Sequence, residues 1–182
     1  MGHLCHYRRK FTSGFTIIEL LVVIGIIGLL ASIVLISLGT AREKGYYARA
    51  LEEFHSMATA LELYKNDHGG DYPPDASRSM PPGLEPYLAT GAAQLWPDGP
   101  WPGSTYDWDN WDDPDHPGEK IYQISIRFCP SGGPLSACNF PKDSWAAGFN
   151  VDSALYYCLE GFCRAHANQP INYPGKCVNC GS

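Results

Sequence analysis

The chain opens with a polar, basic stretch and passes at once into an unbroken apolar run, Phe15 to Leu38, interrupted only by Thr16, Glu19 and small glycines and serines. That run exceeds the roughly 20 residues needed to cross a bilayer as a helix. It predicts a membrane-spanning helix over 15–39. Beyond it the period changes. Tyr47, Leu51, Phe54, Ala58 and Leu61 recur at spacings of four and three, which makes one apolar stripe on a second, amphipathic half-helix over 40–68. Arg49 and Glu53 stand four apart on it and can pair. Gly69-Gly70 stops the helix and Pro73-Pro74 prevents its restart. A continuous helix from about Phe15 to His68 would run on the order of 80 Å. No proline interrupts it before Pro73.

The rest, 69–182, reads as a globular head. From Asp71 to Gly118 prolines cluster (73, 74, 81, 82, 86, 97, 100, 102, 114 and 117), which predicts a long loop with one short helical turn near Gly83–Leu88. Ile121 to Phe128 alternates: Tyr122, Ile124, Ile126 and Phe128 share one face, and Gln123, Ser125 and Arg127 the other. Ala154–Leu159 and Phe162–Ala165 flank Glu160-Gly161 and read as a hairpin. In that register Cys158 faces Cys163 closely enough for a disulfide. The fold class expected is α+β: a long N-terminal helix packed on a small antiparallel sheet.

Charge and composition narrow the function classes. The formal charge is −6, and loss of Arg8, Arg9 and Lys10 would take it to −9. Such a chain offers no broad attraction to nucleic acid. Basic residues before the apolar run keep the N-terminus cytoplasmic and send the head out. An ordinary signal peptide has a shorter apolar core, with its small cleavage-site residue after that core; here Gly14 precedes a longer one.

Glu19 is the anomaly, because a carboxylate within hydrocarbon is expensive. Either it lies shallow enough in a plain anchor to reach the interface, or another molecule supplies its partner. Cleavage after Gly14 would give Phe15 a new α-amino group. Glu19 of a neighbouring copy could neutralise that amine, and so fix the register between subunits.

These residues carry a resemblance. Arg8-Arg9-Lys10, then Gly14-Phe15-Thr16-Ile17-Ile18-Glu19-Leu20, then the apolar helix, resemble the N-terminus of type IV prepilins and type II secretion pseudopilins. The resemblance implies a leader, 1–14, removed after Gly14 by a membrane prepilin peptidase. It implies N-methylation of Phe15 and assembly from the inner membrane into a homo-oligomeric filament, with Glu19 as the charge partner. The stretch AREKGYYARALEEFHSMATALELYKNDHGGDYP, from Ala41, is similar to major pseudopilins, where an amphipathic half-helix ends in an acidic, Gly-rich, Tyr-Pro segment. Pilus and secretion pseudopilus both remain open on these residues.

The acidic stretch YDWDNWDDPD supplies hard oxygen ligands, and Asp107, Asp109, Asp112 and Asp113 are candidate calcium ligands. Their spacing is not that of an EF-hand. Major pseudopilins carry a calcium-supported loop in their C-terminal half, so the resemblance implies calcium as well. The competing readings are a solvated acidic loop with its tryptophans against the sheet, and an aromatic platform for sugars.

Cys5 falls in the leader and leaves six cysteines: Cys129, Cys138, Cys158, Cys163, Cys177 and Cys180. An even number in an exported domain implies up to three disulfides. The hairpin suggests Cys158–Cys163, with Cys129–Cys138 and Cys177–Cys180 the simplest completion. Zinc held by Cys158, Cys163, Cys177 and Cys180 is the rival. His55, His68, His116 and His166 are scattered, and no nucleophile, phosphate-loop or metal-hydrolase spacing occurs. The function expected is structural, not enzymatic. The alternative is a monomeric, signal-anchored binding module whose tryptophan-rich loop holds a carbohydrate or a calcium-dependent ligand.

Overall fold

The structure, a computed structural model, describes residues 14–88, 96 and 98–180, without the side chains of 36 and 37. Residues 1–13, which hold all but Gly14 of the expected leader, with Cys5 and the basic residues at 8–10, lie outside the described residues. The chain divides into two compact units, 1–41 and 42–182.

One helix, α1 (Ile17–Asp67), contributes to both units. In the first unit its described apolar side chains, among them Ile18, Leu21, Ile24, Leu29 and Ile33, are exposed. The helix is long and apolar enough there to cross a membrane. In the second unit Ala50, Phe54, Met57, Ala58, Ala60 and Leu61 are buried. The Arg49–Glu53 pair forms at 2.7 Å. The helix stops where Gly70 turns to φ +101° and its N–H donates to the Lys65 carbonyl at 2.9 Å. This closes an orphan carbonyl of the last turn in a conformation that favours glycine.

The head holds a four-stranded sheet in sequence order: β1 (Thr105–Asp112), β2 (Lys120–Arg127), β3 (Ala154–Glu160) and β4 (Lys176–Cys177). β1–β2 and β2–β3 are antiparallel, and β3–β4 is parallel. The sheet is therefore mixed, not purely antiparallel as the sequence suggests. β4 returns only after the long excursion from Gly161 to Gly175, so it is free to lie parallel to β3. The turn expected near Gly83–Leu88 is a short 3-10 helix, Glu85–Tyr87.

One sheet face is apolar and packs on α1. Tyr106, Trp108, Ile124, Ile126 and Leu155 join Phe54, Met57 and Leu61 in a single core, with Phe128 just beyond β2. Trp108 is fully buried, and its indole N–H donates to the Pro73 carbonyl at 3.0 Å. Phe54 meets Tyr106 edge-on at 5.7 Å between ring centroids, and the Tyr106 hydroxyl donates to Glu53 at 2.6 Å.

Two expectations are corrected. The acidic stretch from Tyr106 is not a loop but most of β1. Its odd positions put Asp107 and Asp109 on one face while Tyr106 and Trp108 enter the core, which is strand alternation with acids on the outer side. The second correction concerns Phe162–Ala165, which is not a strand paired back on β3. The chain turns at Gly161 (φ +85°) and crosses the outer face of the sheet instead. There the Gln123 side chain bridges the backbone of Arg164, accepting from its N–H at 3.0 Å and donating to its carbonyl at 2.7 Å.

Disulfides join Cys129 to Cys138, Cys158 to Cys163 and Cys177 to Cys180. The four thiols of the zinc reading are thus spent on covalent bonds. The Cys177–Cys180 loop presents Asn179, whose amide accepts from the Cys158 N–H at 2.8 Å and donates to the Cys158 carbonyl at 2.6 Å. A side chain continues the ladder where β4 ends, which helps to cover an edge strand.

Candidate functional site

Two groups of carboxylates stand out. The first is Glu19, one turn into the apolar helix. Its Oε2 accepts from the Thr16 N–H at 2.9 Å and from the Thr16 hydroxyl at 2.7 Å. In return the Glu19 N–H donates to Thr16 Oγ1 at 3.2 Å. Thr16 is the N-cap and Glu19 the third helical residue, so the pair is a reciprocal capping box. It aims the carboxylate back at the helix N-terminus. An acid there also complements the helix dipole. Among the described residues no cation reaches Glu19; its carboxylate is held by Thr16 alone.

The second group lies on the outer face of the head sheet. Asp107 Oδ2 accepts from Arg127 Nε at 2.9 Å, and its Oδ1 from the Arg78 N–H at 2.8 Å. Asp109 is fully buried opposite Gln123 in the strand register. Its Oδ2 accepts from Gln123 Nε2 and Ser125 Oγ, both at 2.9 Å, while Arg127 Nη2 stands 3.5 Å away. Burial pushes the Asp109 carboxyl up to about 6, against the pull of Arg127. Asp113 accepts from Arg164 Nη2 at 2.7 Å and meets His116 Nδ1 at 2.9 Å. Burial raises its pKa, but the Asp115 N–H, His116 and Arg164 outweigh that and hold the carboxyl below its ordinary value. Asp115 accepts from Arg164 Nη1 at 2.6 Å. Asp112 is turned out to solvent, 3.4 Å from Lys120, and Asp115 is exposed as well although it holds Arg164.

This arrangement does not fit calcium. The ion takes six to eight oxygen ligands converging on one point. Asp107 and Asp109 face Arg127, Asp113 faces Arg164, and Asp112 points away. Among the described residues no three His, Cys, Asp or Glu side chains converge as a metal cluster. Composition makes the four aspartates look alike; strand alternation and two distant arginines separate them. Arg127 and Arg164 are the residues that sequence reasoning missed in this role. The only sequence signal was an arginine on the polar face of β2.

Trp111, outside the core, sits 5.6 Å from the His166 ring. It borders an open groove with Asp112, Pro114, Ala167 and Asn168. Trp96, Trp101 and Trp108 are buried. The tryptophans therefore do not form one exposed platform.

An exposed apolar helix with a capped acid at its start, continuing into a small disulfide-linked α+β head, defines a pilin-like, membrane-anchored subunit. Residues 9–35 match the model of the prokaryotic N-terminal methylation motif. The type II secretion system core protein G of Klebsiella michiganensis is 32% identical over 104 residues, covering 53% of this chain and 72% of the relative. That of Aeromonas hydrophila is 34% identical over 107 residues, covering 54% and 73%. That of Escherichia coli K12 is 34% identical over 101 residues, covering 51% and 68%. No solved structure gives a significant match. The chain belongs to the type II secretion system core protein G family. This is a family of structural pseudopilins, not of enzymes.

Proposed function

We propose that the protein is a structural subunit of a type II secretion pseudopilus, and that its work is polymerisation, not catalysis. The observation that carries this reading is the methylation motif running directly into a solvent-exposed apolar helix, in a chain whose relatives are secretion core proteins. Prepilin peptidase cuts after Gly14 and Phe15 becomes the N-methylated terminus. The head lies outside the cytoplasm while the helix holds the subunit in the inner membrane. On assembly the apolar helices pack together and leave lipid.

Glu19 then supplies the one negative charge where a neighbouring copy brings its Phe15 amine. The capping box supports this role, because it holds the carboxylate at the helix end with its remaining oxygen, Oε1, unused by the described residues. Pairing two charges that would each be costly alone favours one axial register over its neighbours. The secretion relatives favour a pseudopilus over a surface pilus, and over a monomeric anchored binding module.

The test is expression of the full chain together with a prepilin peptidase and a secretion assembly platform, followed by shearing and electron microscopy. Filaments that contain the chain are expected. A processed chain that remains monomeric in the membrane under those conditions would sink the proposal.

A further inference from the structure

The outer face of the head sheet raises a question that assembly does not answer. Acidic residues crowd the segment from Asp107 to Asp115, and three of them, Asp107, Asp109 and Asp113, are buried. Carboxylates buried together need positive charge nearby or they must take up protons. The resemblance to major pseudopilins points to a calcium ion as the source. The donor set in this chain points elsewhere.

Arg164 is buried to 1% exposure, and its guanidinium reaches Asp113 at 2.7 Å and Asp115 at 2.6 Å. Arg127 is buried to 2% and reaches Asp107 at 2.9 Å and the Ala165 carbonyl at 2.5 Å. Both side chains arrive from outside the acidic segment: Arg127 from β2, Arg164 from the stretch that crosses the sheet after Gly161. That crossing is itself tied down, by the Gln123 bridge to the Arg164 backbone and by the Cys158–Cys163 disulfide at its start. A guanidinium presents several donors in a rigid fork and stays charged at any ordinary pH, so it can serve two carboxylates at once.

We propose that Arg164 and Arg127 supply from within the chain the positive charge that a divalent cation would otherwise bring to the Asp107–Asp115 segment, so that this head folds without one. The claim concerns the stability of the head and holds whether or not the chain polymerises. Its failure and the failure of the filament reading are read by different experiments.

The test uses the processed full chain in detergent, with thermal unfolding followed by near-ultraviolet circular dichroism of the buried tryptophans. The melting temperature is measured in excess EDTA and in millimolar calcium. A ligand that binds only the folded state must raise it. The two values are expected to agree within about 1 °C. A rise of several degrees in calcium would overturn the proposal.

The second arm is Arg164→Gln, which takes the guanidinium from Asp113 and Asp115 and leaves buried Asp113 with only the His116 ring beside it. It is expected to melt well below the parent protein, and adding Asp113→Asn to it should recover part of the loss. A single variant that melts with the parent, or a second substitution that lowers the melting temperature further, would contradict the assigned role. Arg164→Lys keeps the charge and guards against a glutamine variant that fails to fold. It should melt above Arg164→Gln; equal melting of the two would count against the proposal.

Discussion

The two carboxylate groups of this molecule solve one problem in opposite ways. Glu19 sits in an apolar helix with only its own Thr16 for company, and no cation of the described chain comes near it. Asp107 and Asp113 sit in the head, each against an arginine from a distant part of the same chain. The head is electrostatically complete by itself. The N-terminal helix is not, and its exposed apolar face is equally incomplete. Incompleteness in both charge and surface is what a subunit that finishes itself by contact with other copies should show. Completeness is what a domain that must fold before assembly should show.

Substitutions can break that contrast at either end. The largest effect belongs to Glu19→Ala. Leaving the Phe15 amine unpaired within apolar helices costs about 3–5 kcal/mol, so incorporation into filaments should fall on the order of 100-fold or more. Sheared-filament yield against total membrane-bound protein measures it. Head folding, followed by circular dichroism, should not change.

Next in size is Arg127→Met. It removes the cation between Asp107 and Asp109 and strands buried charge, so unfolding free energy should drop by about 3–5 kcal/mol. Chemical denaturation of the full chain in detergent reads this directly. An unchanged midpoint would show that the outer face does not depend on its internal counter-charge.

A smaller loss is expected from Gly161→Ala. The glycine holds φ +85°, and an added Cβ would collide with the Lys120 carbonyl oxygen. The crossing toward Arg164 starts there, so strain of about 1–3 kcal/mol should appear in the same denaturation assay.

The smallest effect is a change of pH slope. Asp109 has its carboxyl raised to about 6 by burial. Between the ordinary aspartate value and about 6 the folded chain keeps a proton that the unfolded chain has released. Stability from this group therefore falls as pH rises through that window. Asp109→Asn should flatten the slope there. Paired denaturation series at either end of the window measure the difference.

How far the sequence reveals the molecule depends on the range of the forces involved. The long helix, its glycine stop and the core face of β2 follow from apolar spacing, which is local: Phe54, Leu61, Ile124 and Ile126 are buried where their periods put them. The Arg49–Glu53 pair is equally local. β1 hides because its outward positions are aspartates, which read as a solvated loop unless their partners are known. Those partners are far along the chain; Arg164 lies 51 residues from Asp113. Phe162–Ala165 looks like a strand by composition, yet Arg164 within it is drawn across the sheet to the acids. The parallel β4 is only two residues long, and nothing in Lys176-Cys177 signals its direction. Glu19 is legible as an anomaly from sequence. Its capping box with Thr16 is local as well, and what it lacks within the chain is a counter-charge.

The most direct measurement is the intact mass of the protein recovered from a membrane with an active prepilin peptidase, before and after reduction. The account predicts a chain that begins at N-methylated Phe15 and gains two hydrogens for each of its three disulfides. A chain that retains residues 1–14 in that membrane would contradict it and return Glu19 to an ordinary anchor.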